Sequence, residues 1–473
     1  MRSRKYSILS REQIFGKGGY LEIVKVASPL VVMSASHVIM LFCDRLFLAH
    51  AGTVLVAAAM PVGLMYFSMF CIFTGIVGFT SPLVAQLYGS GDHPGCVRAA
   101  WNGIWLGMAG AIAVIIGTPL LGRWIIVNSG MRPELLLPSL EYLHGLHFSG
   151  AFACLAVPMF CFFSGRGITW PSGVFNTLSC ALNIVLDYML IFGNWGAPKL
   201  GIYGGGLATT IAGGFSLLCV ALLFFLTDQK LYPTRRKFAI KWEYIRKIML
   251  YGTPSGTQVF AEVAAFTFMC IKVGAISVEA TAATTIALSV NNFSFSPLLG
   301  VSDATAIVTG QYIGRGRRAV AQKAVYCAWR LSFIYMLLCG TVYLVFPDFL
   351  AELFAPDIGG DADFGSVVSM CGTILACAAV FNLTDSIKYV FMGGLRGAGD
   401  TLFIFLIVTG GQWLIMVPGI WLIVEKLHGS VTQIWYFLTV YGLFEAGMIL
   451  WRFRSGRWRN IELVQRRKEQ ATE

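Results

Sequence analysis

Long stretches without a single Asp, Glu, Lys or Arg recur through the whole chain, at 26–43, 99–122, 280–302, 364–384 and 402–424. A spanning helix needs about 20 such residues to cross the hydrocarbon core of a bilayer. Only 12% of the residues are charged and 56% are hydrophobic, with a mean hydropathy of +0.70. That balance excludes an ordinary soluble globular protein. The fold class expected is an all-α integral membrane protein.

Twelve spans are predicted, centred near Val32, Phe67, Ala111, Ala153, Leu178, Leu217, Ala261, Asn291, Tyr335, Ile374, Ile415 and Val440. The net charge of +11 is concentrated between or beyond these spans, at 2–5, 235–247, 315–318 and 452–468. Basic loops mark the cytoplasmic side. Both termini and the linker 228–247 are therefore expected in the cytoplasm, the acidic loop 348–363 outside, and the chain in a cell (plasma or inner) membrane. No soluble module interleaves basic residues with aromatics, so nucleic acid is not an expected partner. Residues 1–5 carry three basic groups but no small-residue cleavage site follows, so the first helix is expected to act as its own insertion signal. The twelve cysteines are scattered mostly inside apolar runs without metal-ligand spacing, which reads as packing.

The uncharged run 46–91 is too long for one perpendicular crossing. Its Gly52, Pro61, Gly63, Gly75, Gly78 and Pro82 predict a loop, a long bent helix and an irregular end; a second hidden span is the alternative.

The chain also repeats itself at an offset of 225 residues. Pro29 matches Pro254, Ala57 and Ala58 match Ala282 and Ala283, and QLYGSG at 86–91 matches QYIGRG at 311–316. At a slightly larger offset Arg166 and Gly167 match Arg396 and Gly397. Six spans per copy keep one orientation, which makes the repeat parallel. Two six-helix bundles are expected, 1–235 and 245–473, enclosing a central cavity that opens alternately to each side.

Against this background three carboxylates stand out: Asp44, Glu262 and Asp385. A charge at mid-bilayer costs roughly 2.5–3.5 kcal/mol even on the lenient insertion scale, so such groups persist where they face protein and bind something. Desolvation lets a carboxylate load and release a proton near neutral pH. Ion and cationic drug then compete for one negative charge, and antiport follows if each favours a different state. Each carboxylate also has a plainer reading. Asp44 can pair with Arg45 or lie at the outer mouth in water, Glu262 can be a hydrogen-bonded packing residue, and Asp385 can pair with Lys388, three residues on.

Other polar groups fall inside spans. Asp303 and Lys272 are expected at opposite ends, unpaired with each other; Asp303 either extends a cation path or contacts backbone and water. His37, one to two turns before Asp44, either tunes proton affinity or is a neutral hydrogen-bonded histidine. Asn291 and Asn292 need partners, as interhelical glue or as cation ligands. Arg166 and Arg396 are expected to bind helix C-terminal carbonyls. Methionines and phenylalanines lining a cavity would offer an adaptable apolar wall.

These same residues resemble the multidrug and toxic compound extrusion (MATE) family over nearly the whole chain. The pattern runs from Pro29 and Asp44 through QLYG at 86–89, LNI at 182–184, GAPKLG at 196–201 and GLAT at 206–209 to GLRGAGDT at 394–401. Within the family the chain is most similar to the NorM-type branch, which adds a span-seven Glu, here Glu262, and a span-ten Asp, here Asp385. The resemblance implies a Na⁺ site at Glu262 and Asp385, and a first-half cavity lined by Asn183, Asp187 and Tyr188, although Asp187 alternatively caps the outer end of its span. Two departures concern this site. Phe381 stands where the family has an aromatic hydroxyl one turn before the Asp, and Lys388 lies close to Asp385.

The function expected is a secondary antiporter, not an enzyme, that exports organic cationic amphipathic compounds in exchange for Na⁺ or H⁺. It would act as a monomer with no cofactor beyond the coupling ion. A lipid-linked glycan flippase of the same superfamily would want Arg and Lys in its cavity. A membrane-embedded enzyme would need catalytic groups paired at depth. The six histidines do not fall at ligand spacing, and no P-loop supports ATP-driven pumping.

Overall fold

A computed structural model describes residues 11–352, 364–461 and 463–464. The acidic stretch 353–363 lies outside the described residues. Among those described are twelve long helices. They are α1 (Tyr20–Ala51), α2 (Thr53–Gly89), α3 (His93–Asn128), α4 (Pro133–Gly165), α5 (Trp170–Phe192) and α6 (Gly201–Leu226). The second six are α7 (Trp242–Gly274), α8 (Val278–Gly314), α9 (Arg318–Val345), α10 (Phe364–Ala398), α11 (Thr401–Lys426) and α12 (Val431–Arg454). Each predicted centre falls inside one helix. All but α8 are long and apolar enough to cross a membrane by composition; α8 is more polar because it carries Asn291, Asn292 and Asp303.

The uncharged run 46–91 resolves into a break at Gly52 and one helix, α2, that turns at Phe79. No second span hides there. The irregular end expected near Pro82 is instead helical to Gly89. Pro82 sits in the first turn after the bend, where a missing N–H costs no helical hydrogen bond.

The chain forms two compact units, one of Met1–Val31 with Ala261–Glu462, the other of Val32–Phe260 with Leu463–Glu473. Their boundaries lie inside α1 and α7. In the first unit α10 is the central helix, packed against α8, α9 and α12. Its core includes Ala265, Ile286, Ile374, Leu375 and Trp435. In the second, α6 packs on α4 and α5, and α3 on α4, around Val62, Tyr66, Leu143 and Cys154.

Glycines explain how the early turns of α1 and α7 join these units. In the second unit a Cβ on Gly256 of α7 would lie 2.4 Å from the Ile72 carbonyl oxygen of α2. A Cβ on Gly75 would lie 2.4 Å from the Gly256 Cα. In the first unit Gly300 of α8, the repeat partner of Gly75, meets the Val31 nitrogen of α1 at 2.7 Å by the same measure. Backbone contact this close leaves no room for a side chain. Gly256→Leu is therefore expected to destabilise the protein by about 1–3 kcal/mol through overpacking. Thermal unfolding in detergent measures it, and an unchanged Tm would contradict the packing.

The repeat is also legible in the helix ends, with one correction. Gly91 and Gly316 take matching left-handed conformations (φ +80 and +73) after α2 and α8. The next matched pair is Gly167 (φ +82) and Gly399 (φ +94), not Gly167 and Gly397. Gly399 N–H bonds to the Arg396 carbonyl (3.0 Å), as Gly167 N–H bonds to that of Ser164 (2.7 Å). Gly397 instead pairs with Gly165, each pressed on a carbonyl of the helix two before its own, that of Ala306 in α8 and of Ser81 in α2. Arg166 and Arg396 are thus not equivalent.

The linker after α6 is pinned to the second unit. Trp101 donates to the Thr234 carbonyl (2.7 Å), Trp105 to that of Phe238 (2.9 Å), and Lys241 N–H to Asn102 Oδ1 (2.8 Å). Burial pushes the Tyr232 hydroxyl above its ordinary pKa, so it stays neutral and bonds to His93 Nδ1 at 3.1 Å.

Candidate functional site

In each unit one group of ionisable side chains converges among the predicted site residues, with buried and half-buried members. In the second unit α1, α4 and α5 supply Asp44, Tyr142 and Asp187. The Asp44 and Asp187 carboxyls lie within interaction reach of one another, and Tyr142 lies within electrostatic reach of both. Asp187 is fully buried. An ionised carboxylate only accepts hydrogen bonds, so two carboxyls can bond to each other only through a shared proton. Two negative charges at that separation in a desolvated site do not both persist.

Asn183, one turn before Asp187, is also buried and donates to Thr209 Oγ1 at 3.4 Å, while Thr209 donates to the Gly205 carbonyl. Asn183 and Asp187 therefore face α6 and α1 rather than lipid. Tyr188 points elsewhere. It packs among Phe47, Phe192 and Trp195 with ring centroids 6.3, 6.0 and 5.6 Å away. His37 stays exposed on α1, at the repeat position of Glu262.

The first unit collects a richer cluster from α7, α10 and α12. Lys388 Nζ lies 2.8 Å from Glu445 Oε2 and 3.9 Å from Glu262 Oε1. The Tyr441 hydroxyl donates to Glu445 Oε1 at 3.3 Å, and the Tyr389 ring centroid stands 5.1 Å from the ammonium. Asp385, one turn before Lys388, is buried within electrostatic reach of Lys388, Glu262 and Glu445. The lysine thus spends its closest bond on α12 rather than on its own helix. An ammonium on four methylenes reaches a facing helix more easily than it folds back on its own.

Phe381 sits one turn before Asp385 with its ring against α12. A Cβ on Gly442 would come within 2.9 Å of the Phe381 Cε2. Aromatic hydroxyls come instead from Tyr441 and Tyr389.

The remaining polar groups inside spans separate from both clusters. Asp303 pairs with Arg396 at 2.6 Å. The packing of α8 on α10 brings the two side chains face to face, an ion pair that the sequence did not suggest for either residue. Lys272 pairs with Glu425 near the end of α11. Arg166, expected as a carbonyl binder, is sandwiched between Phe162 and Tyr232, 4.2 Å from each ring centroid. Asn292 is exposed, and Asn291 keeps a buried Oδ1 without a hydrogen-bond partner among the described residues.

Glu445 was not anticipated from sequence. It meets the same criterion as Asp44, a lone carboxylate in an apolar run, but Arg452 and Arg454 follow closely and make it look like a helix end. Tyr142, Tyr389 and Tyr441 carry no sequence signal apart from the fold.

The MatE family model matches residues 29–189 and 254–422, two segments that start 225 residues apart. A probable multidrug resistance protein NorM from Bradyrhizobium diazoefficiens is 27% identical over 438 residues, covering 92% of this chain and 93% of the relative. The multidrug resistance protein PmpM of Pseudomonas aeruginosa is 27% identical over 407 residues, 84% of this chain and 82% of that protein. Among solved structures, a MOP superfamily transporter from Pyrococcus furiosus superposes with a TM-score of 0.84 at 19% identity, over 95% of this chain and 98% of that one.

Proposed function

The chain belongs to the MatE family, whose members are transporters and not enzymes, and from that premise we propose that it exports organic, cationic amphipathic compounds in exchange for H⁺ or Na⁺ moving inward. Of the two ions, the geometry favours H⁺. The observation that carries this reading is the convergence of the Asp44 carboxyl with the fully buried Asp187 carboxyl, a pair that a shared proton would join. A cation that arrives at the pair displaces that proton, and a returning proton displaces the cation. Inward movement of each proton down a 100 mV potential yields about 2.3 kcal/mol, with the pH gradient added to it. Exchange follows if the protonated and cation-bound forms favour opposite-facing states.

The basic loops support a topology with both termini in the cytoplasm, and the reading takes the protein to act in the plasma or inner membrane as a monomer. The names of the relatives, multidrug resistance proteins, support a broad substrate range.

The test is transport in proteoliposomes with pH and Na⁺ gradients imposed independently. A pH gradient alone should drive extrusion of an organic cation such as tetraphenylphosphonium. The same competition predicts that its Kd falls about tenfold per pH unit for as long as the pair remains protonated, by linkage of one proton to one cation. A Kd flat across the pH range would remove the carboxyl pair from the exchange.

A further inference from the structure

We propose that Lys388 is a cation built into the chain, holding the place among Glu262, Asp385 and Glu445 that a sodium ion would otherwise take. The second carboxyl cluster is thereby closed to Na⁺, and protons alone drive the exchange. This deepens the function proposed above and rests on it for the transport arm only.

The argument starts from the number of carboxyls and their convergence. Three acidic side chains from three helices, α7, α10 and α12, surround one ammonium whose side chain is only 7% exposed. Glu445, the closest at 2.8 Å, is 3% exposed. Glu262 stands at 3.9 Å and retains more exposure. Sodium is a hard monovalent ion that needs several oxygen ligands at once. The oxygens available to it here are the ones that face Lys388 Nζ.

A sodium ion bound to Glu262 and Asp385 would stand within about 4 Å of the ammonium, and like charges at that spacing weaken binding by roughly 10³-fold at a protein-like dielectric. The tether adds to this, because an intramolecular group competes at a high effective concentration. The Tyr389 ring also faces the ammonium and favours a cation already in place, while the Tyr441 hydroxyl donates to Glu445. The charges of Asp303 and Arg396, elsewhere on α8 and α10, neutralise each other.

A pair that served folding alone would look similar, so the test needs a readout that folding does not move. The full chain in detergent is titrated with NaCl against choline chloride at constant ionic strength, and the rise in Tm is followed. Wild type and Lys388→Arg should show no saturable Na⁺ response. The double variant K388M/E445Q removes the ammonium together with its nearest carboxylate and leaves Glu262 and Asp385. It should gain saturable Na⁺ stabilisation, with affinity roughly 10²- to 10³-fold above wild type. In proteoliposomes the same variant should acquire extrusion driven by a Na⁺ gradient.

Saturable Na⁺ stabilisation of the wild type overturns the proposal without any variant. A folded K388M/E445Q with no Na⁺ response overturns it as well. Lys388→Gln serves as a second route, and if only Lys388→Arg folds, the pair is a structural requirement and the proposal falls. Should no gradient drive transport in any form, the exchange reading fails while the Na⁺ titration still decides the role of Lys388.

Discussion

Asp187→Asn is expected to abolish extrusion driven by a pH gradient, by an order of magnitude or more, while the protein stays folded and inserted. Asparagine has nearly the same shape and can hydrogen-bond to Asp44, but it holds no exchangeable proton. Asp44→Asn should do the same. Because the two carboxyls act as one unit, the double variant should be no worse than either single one, the non-additivity expected of groups in one network. Transport of an organic cation in proteoliposomes, normalised to reconstituted protein, provides the measurement. Retained extrusion in Asp187→Asn would place the proton elsewhere.

The second large effect concerns stability. Glu445→Leu leaves Lys388 buried with its nearest remaining carboxylate, Glu262, at 3.9 Å. Breaking a buried pair from one side costs about 3–5 kcal/mol where the remaining charge is uncompensated, and Glu262 and Asp385 hold the loss here towards the low end; replacing both partners by apolar groups is often neutral. Glu445→Leu should therefore lower Tm and monodisperse yield sharply, and K388M/E445L should recover most of the loss. If the double variant is as unstable as the single one, packing at Glu445 rather than charge explains the effect.

What was legible in the sequence, and what was not, divides along physical lines. Span positions come from local composition, and all twelve predicted centres lie within helices of the structure. The parallel repeat shows in Pro29 and Pro254 and in the paired motifs ending at Gly91 and Gly316, since a left-handed helix end restricts the residue to glycine. The same rule exposes the slip at Arg396 and Gly397. Matching residue names there outweighed a shift of two positions, and only the backbone of Gly399 shows which glycine ends the helix.

Within the candidate site, the resemblance to a known family brought Asp187 into view, whereas its approach to Asp44 depends on how α1 meets α5. The helical spacing of Asp385 and Lys388 made a local pair plausible. The ammonium instead reaches Glu445 from a facing helix, a tertiary choice that no spacing on one helix reveals. Asp303 and Lys272 were correctly kept apart by span direction, yet their true partners, Arg396 and Glu425, lie about 93 and 153 residues away in sequence.

Counting protons decides most directly whether the converging carboxyls of α1 and α5 exchange a proton for the exported cation. An organic cation is added to the purified chain in weakly buffered detergent solution and the released protons are titrated. The account predicts release of about one proton per bound cation, by reciprocal linkage at a shared site, and none from Asp187→Asn. Cation binding by the wild type with no proton released would contradict it.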